Sequence, residues 1–271
     1  MHTVIRPYDS EDFSTITNLF PPEWNFDFGE FIALFHKSGF FRGYTLQVKD
    51  NPAGFGNLFV FGPVCWIGNI VVSREYRNRG LGTMITRFLI KKGESMGAET
   101  FNLVATEQGE YIYRKLGFTT ELKYGFYSRR GNMPETNVSG FIRDATIRDL
   151  KGISDITLEI TSENREEMIR MFLHETKLVF SKSEELKGFY IRRPGNGLIV
   201  SSEPGFGTEL LKYKIESGDQ MVVIPENNIH AKDFLIRNGF EKNMELPRMT
   251  KGAKCIWKPE CIFSRGTGYF G

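Results

Sequence analysis

Ser73-Arg74-Glu75-Tyr76-Arg77-Asn78-Arg79-Gly80-Leu81-Gly82-Thr83 runs straight into Met84, Ile85, Phe88, Leu89 and Ile90, whose three- and four-residue spacing predicts an amphipathic helix. The run before it, 65–72, is nearly continuous in apolar residues and reads as a central strand. A strand that hands two glycines and two arginines to a helix N-terminus builds an anion site. The first helix N–H groups have no partner within the helix, and the dipole places partial positive charge there. Glycine lets a phosphate approach the backbone without meeting a Cβ, while Arg77 and Arg79 add full charge. The run is no Walker loop, since no Gly-Lys-Ser/Thr follows, and Ile85 stands where a dinucleotide fingerprint needs its third glycine.

Working outward, the first half alternates strand and helix patterns. A short strand at 4–7 precedes a helix through Phe13, Ile16 and Leu19, which Pro21-Pro22 stops. Phe28, Phe31, Ile32 and Phe35 share one face of a second helix, and 44–48 and 54–61 read as antiparallel strands. After the glycine loop and its helix come a strand at 100–105, a helix at 111–116 closed by Gly117-Phe118, and a strand at 123–128. The polar stretch 129–137, with Gly131 and Pro134, reads as a linker.

The second half repeats this order. A strand at 141–146 leads to a helix from Asp149, and a long helical stretch is expected to carry Met168, Met171, Phe172 and Leu178. Strands follow at 189–191, 197–201 and 221–224, with helices at 204–215 and 231–237. Gly80-Leu81-Gly82-Thr83 matches Gly205-Phe206-Gly207-Thr208, and Lys115-Leu116-Gly117-Phe118 matches Arg237-Asn238-Gly239-Phe240. The second glycine of the first motif precedes the glycine of the second by 35 residues in one half and 32 in the other. Two motifs in one order at nearly one spacing read as a duplication.

Composition bounds the function. The 271 residues carry 40% hydrophobic and 25% charged residues, which excludes wholesale disorder and allows one domain or two. A net charge of +2, evenly shared between the halves, argues against nucleic acid. No apolar run reaches the length of a membrane span, and the N-terminus lacks a signal-peptide layout, so a cytoplasmic soluble protein is expected. Cys65, Cys255 and Cys261 stand at no metal-ligand spacing and read as buried reduced thiols, so no metal is expected. Phe is in excess, 24 residues with eleven before position 62. Phe26, Phe28, Phe31 and Phe35 are therefore candidate walls of a substrate site, although a helical Phe stripe is more often plain core.

Val72-x-x-x-Tyr76-Arg77-x-x-Gly80-x-Gly82, followed by Tyr113-Arg114-Lys115-Leu116-Gly117-Phe118, closely resembles the GNAT N-acyltransferase superfamily. The likeness covers about 3–130 and continues more weakly to the end, as in tandem-GNAT enzymes with a degenerate second copy. It implies an α/β (α+β) fold: two tandem GNAT folds, each a mixed, mostly antiparallel sheet flanked by helices. A catalytic domain over 1–133, a linker over 134–140 and a degenerate copy over 141–271 are expected. The resemblance also implies acetyl-CoA as acyl donor. Backbone groups of Ile70, Val71 and Val72 would pair with pantetheine, and the loop residues Arg77, Asn78, Arg79, Gly80, Leu81, Gly82 and Thr83 would hold the pyrophosphate. Tyr113 stands where the family's general acid protonates the departing thiolate. Many relatives carry a carboxylate on the central strand; this one has none, which leaves Glu107 as the nearest candidate base, with Glu110 behind it, a water relay or an already neutral amine.

The second copy departs at telling places. Ser202 replaces the loop arginine, Glu203-Pro204 brings a negative charge and a missing N–H, and Leu235 replaces the tyrosine. The expected function is transfer of an acetyl group from acetyl-CoA to a small-molecule or peptide amine, directly, in a ternary complex of the N-terminal domain. The rivals are a non-catalytic acyl-CoA-binding module and a transferase using aminoacyl-tRNA; the balanced charge counts against the latter. The acceptor and the oligomeric state are not legible.

Overall fold

A computed structural model describes residues 2–131 and 142–270, so the expected linker at 134–140 lies outside the described residues. Contacts divide the chain into two compact units. The first contains Met1–Thr119, Thr250–Ala253 and Phe270; the second contains Thr120–Met249 and Lys254–Tyr269.

The first unit runs β1 (Thr3–Pro7), α1 (Phe13–Thr17), α2 (Phe28–Phe35), β2 (Phe41–Val48), β3 (Asn51–Phe61), β4 (Val64–Val72), α3 (Leu81–Ser95), β5 (Thr100–Val104) and α4 (Glu107–Lys115). Strands β1 to β4 pair antiparallel in chain order, and β5 joins β4 in parallel. The alternation of side chains along β3 builds a different core on each face. Gly56 faces Ile85 and Leu89 of α3. Phe55 and Phe59 face α2, meeting Phe28, Phe31 and Phe35 at ring separations of 5.0–6.1 Å. The Phe excess thus forms an edge-to-face aromatic core, with Phe28, Phe31 and Phe35 at most 2% exposed and only Phe26 half-buried.

The second unit contains the rest of β6 (Thr119–Ser128), then β7 (Ile142–Asp144), α5 (Leu150–Thr161), α6 (Glu166–Met171), β8 (Thr176–Phe180), β9 (Leu186–Ile191), β10 (Leu198–Ser201), α7 (Pro204–Glu216), β11 (Met221–Pro225), α8 (Ile229–Arg237), β12 (Glu241–Gly252) and β13 (Ile262–Ser264). From β7 to α8 the order of elements repeats that from β1 to α4. The repeat reaches single side chains. Arg6 grips Asp12 at 2.6 and 2.8 Å, and Arg143 grips Asp149 at 2.7 and 2.9 Å, with the same six-residue separation. In both copies the gripped carboxylate also caps the turn before a helix.

Three features differ from the sequence reading. The long helix expected through Leu178 ends at Met171, and Leu178 lies in β8, where Thr176, Leu178 and Val179 are buried. Strand β6, counted with the N-terminal domain, pairs antiparallel with β11 in the second unit; Thr250–Ala253 lie instead in the first. There Ala253 N–H donates to Glu99 O at 2.9 Å, and Phe270 packs on Phe59 at 4.9 Å. Finally, Cys65 is buried, but Cys255 and Cys261 are only partly so; all three are free thiols. Among the described residues no helix is long and apolar enough to cross a membrane.

Candidate active site

Strands β4 and β5 pair only at Val64↔Thr100, Cys65↔Phe101 and Trp66↔Asn102. Beyond Trp66 they part, and β4 continues to Val72 with β3 as its strand partner on one side. A register irregularity between Phe55 and Asn57, with Asn69 at φ 52°, bends β4 where it parts. Ile70, Val71 and Val72 lie on this unaccompanied stretch. The Val72 carbonyl accepts from Arg77 Nε at 3.1 Å, so the arginine folds back on the strand end.

The 77–83 loop turns through two left-handed residues, Asn78 (φ 62°) and Gly80 (φ 78°). A Cβ on Gly80 would meet nothing within 4 Å, so the backbone angle rather than crowding selects glycine, and the space beside it is open. Helix α3 starts there without a side-chain cap and with no acidic residue in its first turn. Its positive end is therefore uncompensated, unlike that of α4, which Thr106 caps and Glu107 and Glu110 flank. Arg79 rests over the Tyr76 ring at 5.7 Å.

Tyr113 projects from α4 with its ring half-buried, 6.0 Å from Phe118. Burial pushes its hydroxyl up to about 12, so it is a neutral proton donor across the ordinary pH range. Gly109 makes room for the ring, because a Cβ there would lie 2.8 Å from Tyr113 Cε2. Tyr111 is 65% exposed beneath Lys115 Nζ, facing elsewhere as a two-residue helical offset requires. Glu107 is exposed at the first position of α4, and Glu110 is held by Arg114 at 2.6 Å.

Sequence reasoning missed the amides. Phe101 and Cys65 both lie against Gly93 of α3, so their neighbours Asn102 and Trp66 face the opposite side of the sheet. Asn57 shares that side with Phe55 and Phe59 and accepts from Asn69 Nδ2 at 2.9 Å. Asn57 Nδ2 and both polar atoms of Asn102 are buried without a hydrogen-bond partner, as is the hydroxyl of Tyr8, whose ring meets Phe28 and Phe55 on the same side. The available signal was an asparagine inside each of two apolar strands.

The second unit closes the equivalent gap with its own chain. β13 pairs with β10 (Ile199↔Ser264, Val200↔Ile262), and on its other side Arg265 N–H donates to Val223 O of β11 at 2.7 Å. Phe263 packs so tightly on Gly207, the counterpart of Gly82, that a Cβ there would sit 2.2 Å from its ring. Glu203 at the α7 cap is paired with Lys187 at 2.8 Å.

In the first unit the sheet thus opens beside an uncapped, glycine-led helix, whereas in the second β13 and Phe263 occupy the corresponding place. Residues 6–118 match the model of the acetyltransferase (GNAT) family. The chain is similar to an uncharacterised N-acetyltransferase, YitH, of Bacillus subtilis, with 24% identity over 82% of each protein. Its fold is that of a putative acetyltransferase of Pyrococcus horikoshii (TM-score 0.83, 21% identity, 99% of this chain and 96% of that one). A GCN5-related N-acetyltransferase of Sphaerobacter thermophilus shares it less closely (TM-score 0.62, 12% identity, 98% and 97%). Among the described residues no cluster of three metal-ligating side chains occurs.

Proposed function

We propose that the first unit transfers the acetyl group of acetyl-CoA to a primary amine by direct attack in a ternary complex. The observation that carries this reading is the parting of β4 from β5 beside the bare start of α3. Amides of the loop residues Asn78 to Thr83 hold the pyrophosphate, with Arg77 and Arg79 adding charge. Backbone groups of Ile70, Val71 and Val72 pair with the pantetheine, and one N–H polarises the thioester carbonyl. The amine lone pair attacks that carbon, a C–N bond forms and the C–S bond breaks. Tyr113 gives its proton to the departing sulfur. The amine's proton passes to water or to Glu107, the exposed carboxylate at the start of α4.

On the acceptor side, Asn57, Asn102 and the Tyr8 hydroxyl supply the polar groups, set in a wall of Phe. Buried amides without partners are costly in the free protein and gain them when a polar acceptor enters. The lack of a carboxylate on β4 favours one rival, an acyl-CoA-binding module without turnover. Release of free CoA from acetyl-CoA across a panel of primary amines separates the two: an enzyme releases it with a subset of amines, and a binding module with none.

A further inference from the structure

The second unit holds an unpaired buried cation. Arg265, next after β13, is 2% exposed, and neither its Nε nor its Nη1 has a hydrogen-bond partner. Its guanidinium lies over the Tyr124 ring at 4.5 Å and near Phe126 at 5.9 Å. Tyr124 meets Trp257 edge-on at 6.4 Å, and Arg248 stacks on Trp257 at 3.8 Å. Arg248 is already paired with Glu121, and Arg165 with Glu163 at 2.6 Å.

The surrounding charges do not balance. Tyr124 feels the charges of Arg265, Glu163 and Arg165, and Arg248 feels those of Arg265 and Cys255. Three guanidiniums thus share two carboxylates, and the one left over is Arg265. Burial pushes it down to about 10, with only Tyr124 opposing. A buried charge is tolerated when an opposite charge or hydrogen-bond acceptors meet it, and none among the described residues does so.

The placement belongs to a binding face. Tyr127, Val222 and Ile224 pack with the α7 and α8 core, so Tyr124 and Phe126, at alternate positions of β6, point to the other side of the sheet. The Glu163–Arg165 pair sits in the turn between α5 and α6. This matches the α1/α2 side of the first unit, where the unpartnered amides lie. The segment that closes the cofactor gap therefore also carries a free guanidinium onto the opposite face.

We propose that the second unit is a ligand-binding module that holds a small monocarboxylate between Arg265 and the Tyr124, Phe126 and Trp257 rings. One excess positive charge matches a carboxylate better than a phosphate, which brings nearly two negative charges. The planar carboxylate also matches the guanidinium fork, and the rings fit an apolar body.

The test uses the full chain, with sodium benzoate as probe and benzamide, inorganic phosphate and sodium chloride as comparisons. Thermal unfolding and Trp fluorescence are followed for the wild type, Arg265→Gln and Arg265→Lys. Benzoate is expected to raise the wild-type Tm in a saturable way, with benzamide and chloride without effect. Arg265→Gln should lose affinity about tenfold or more, while its unliganded Tm equals or exceeds that of the wild type because an unpaired charge is gone. Arg265→Lys should keep weakened binding. Benzoate shifts that survive in Arg265→Gln, or saturable binding of phosphate in preference to benzoate, would overturn the proposal. A wild type that ignores benzoate, alongside an Arg265→Gln protein that fails to fold, also overturns it and makes Arg265 structural.

Discussion

Replacing Tyr113 by Phe removes one oxygen from α4 and leaves the ring in place. The contact with Phe118 at 6.0 Å and the fit over Gly109 both belong to the ring, and no described side chain or backbone group bonds the hydroxyl. The fold should therefore lose less than about 1 kcal/mol, the scale of one hydrogen bond. The reaction should lose far more. General-acid help to a leaving group is worth about 10²- to 10⁴-fold, or roughly 3 to 5 kcal/mol of barrier. The assay is kcat by release of free CoA, with the Kd for CoA measured by calorimetry on the same protein. The expected result is a kcat lower by at least about 100-fold at unchanged Kd and Tm. The pH profile adds a second check. Because burial holds the hydroxyl up to about 12, no loss of activity from its ionisation should appear below about pH 10, its ordinary value. A kcat within a few-fold of wild type, or an alkaline fall near neutrality that Tyr113→Phe abolishes, would refute the assignment.

Three further perturbations separate chemistry from stability. Gly109→Ala adds a Cβ 2.8 Å from the Tyr113 ring in a helical position, so the ring must shift and kcat should fall, while stability should hold or rise by up to about 1 kcal/mol of helix propensity. Asn102→Leu removes two unpaired buried polar atoms, so stability should be equal or greater, yet KM for the amine should rise with CoA affinity unchanged. Asp12, 3% exposed, is raised by burial but lowered further by Arg6 and Thr45, so its folded value lies below the usual carboxylate range. Its contribution is then present above about pH 4 and lost as pH falls through that folded value; Asp12→Asn should cost about 1 to 3 kcal/mol near neutrality and flatten the acid limb of Tm against pH.

What could be read from the chain is what local chemistry dictates. Gly80 needs a left-handed backbone, Tyr113 and Gly109 lie within one helical turn, and the helix after Thr83 declares its face by periodicity. The two gripped carboxylates, Asp12 and Asp149, carry the duplication into side-chain detail. The pairing of distant segments could not be read. Nothing near Thr250 indicates that it joins the first unit, and nothing in Ile262-Phe263-Ser264 indicates that these residues fill a gap beside Gly207. The turn from α6 to β8 was misread because Met168, Met171 and Phe172 do keep helical spacing, whereas Leu178 falls on that spacing within a strand. Asn102 and Arg265 matter through their missing partners, a property that sequence does not display.

On the proposed reading the chain carries one acyl-CoA site, at the start of α3, and none at the start of α7. Calorimetric titration of the full chain with CoA tests it, beside Gly82→Asp. The substitution puts a carboxylate into the first helical turn, where it suits the helix dipole, and its Cβ meets only the tip of Ile112 at 3.3 Å, so the fold should stand. The predicted result is about one CoA per chain for the wild type and none for Gly82→Asp at the same Tm. Two CoA molecules per chain, or undiminished binding in Gly82→Asp, would contradict it.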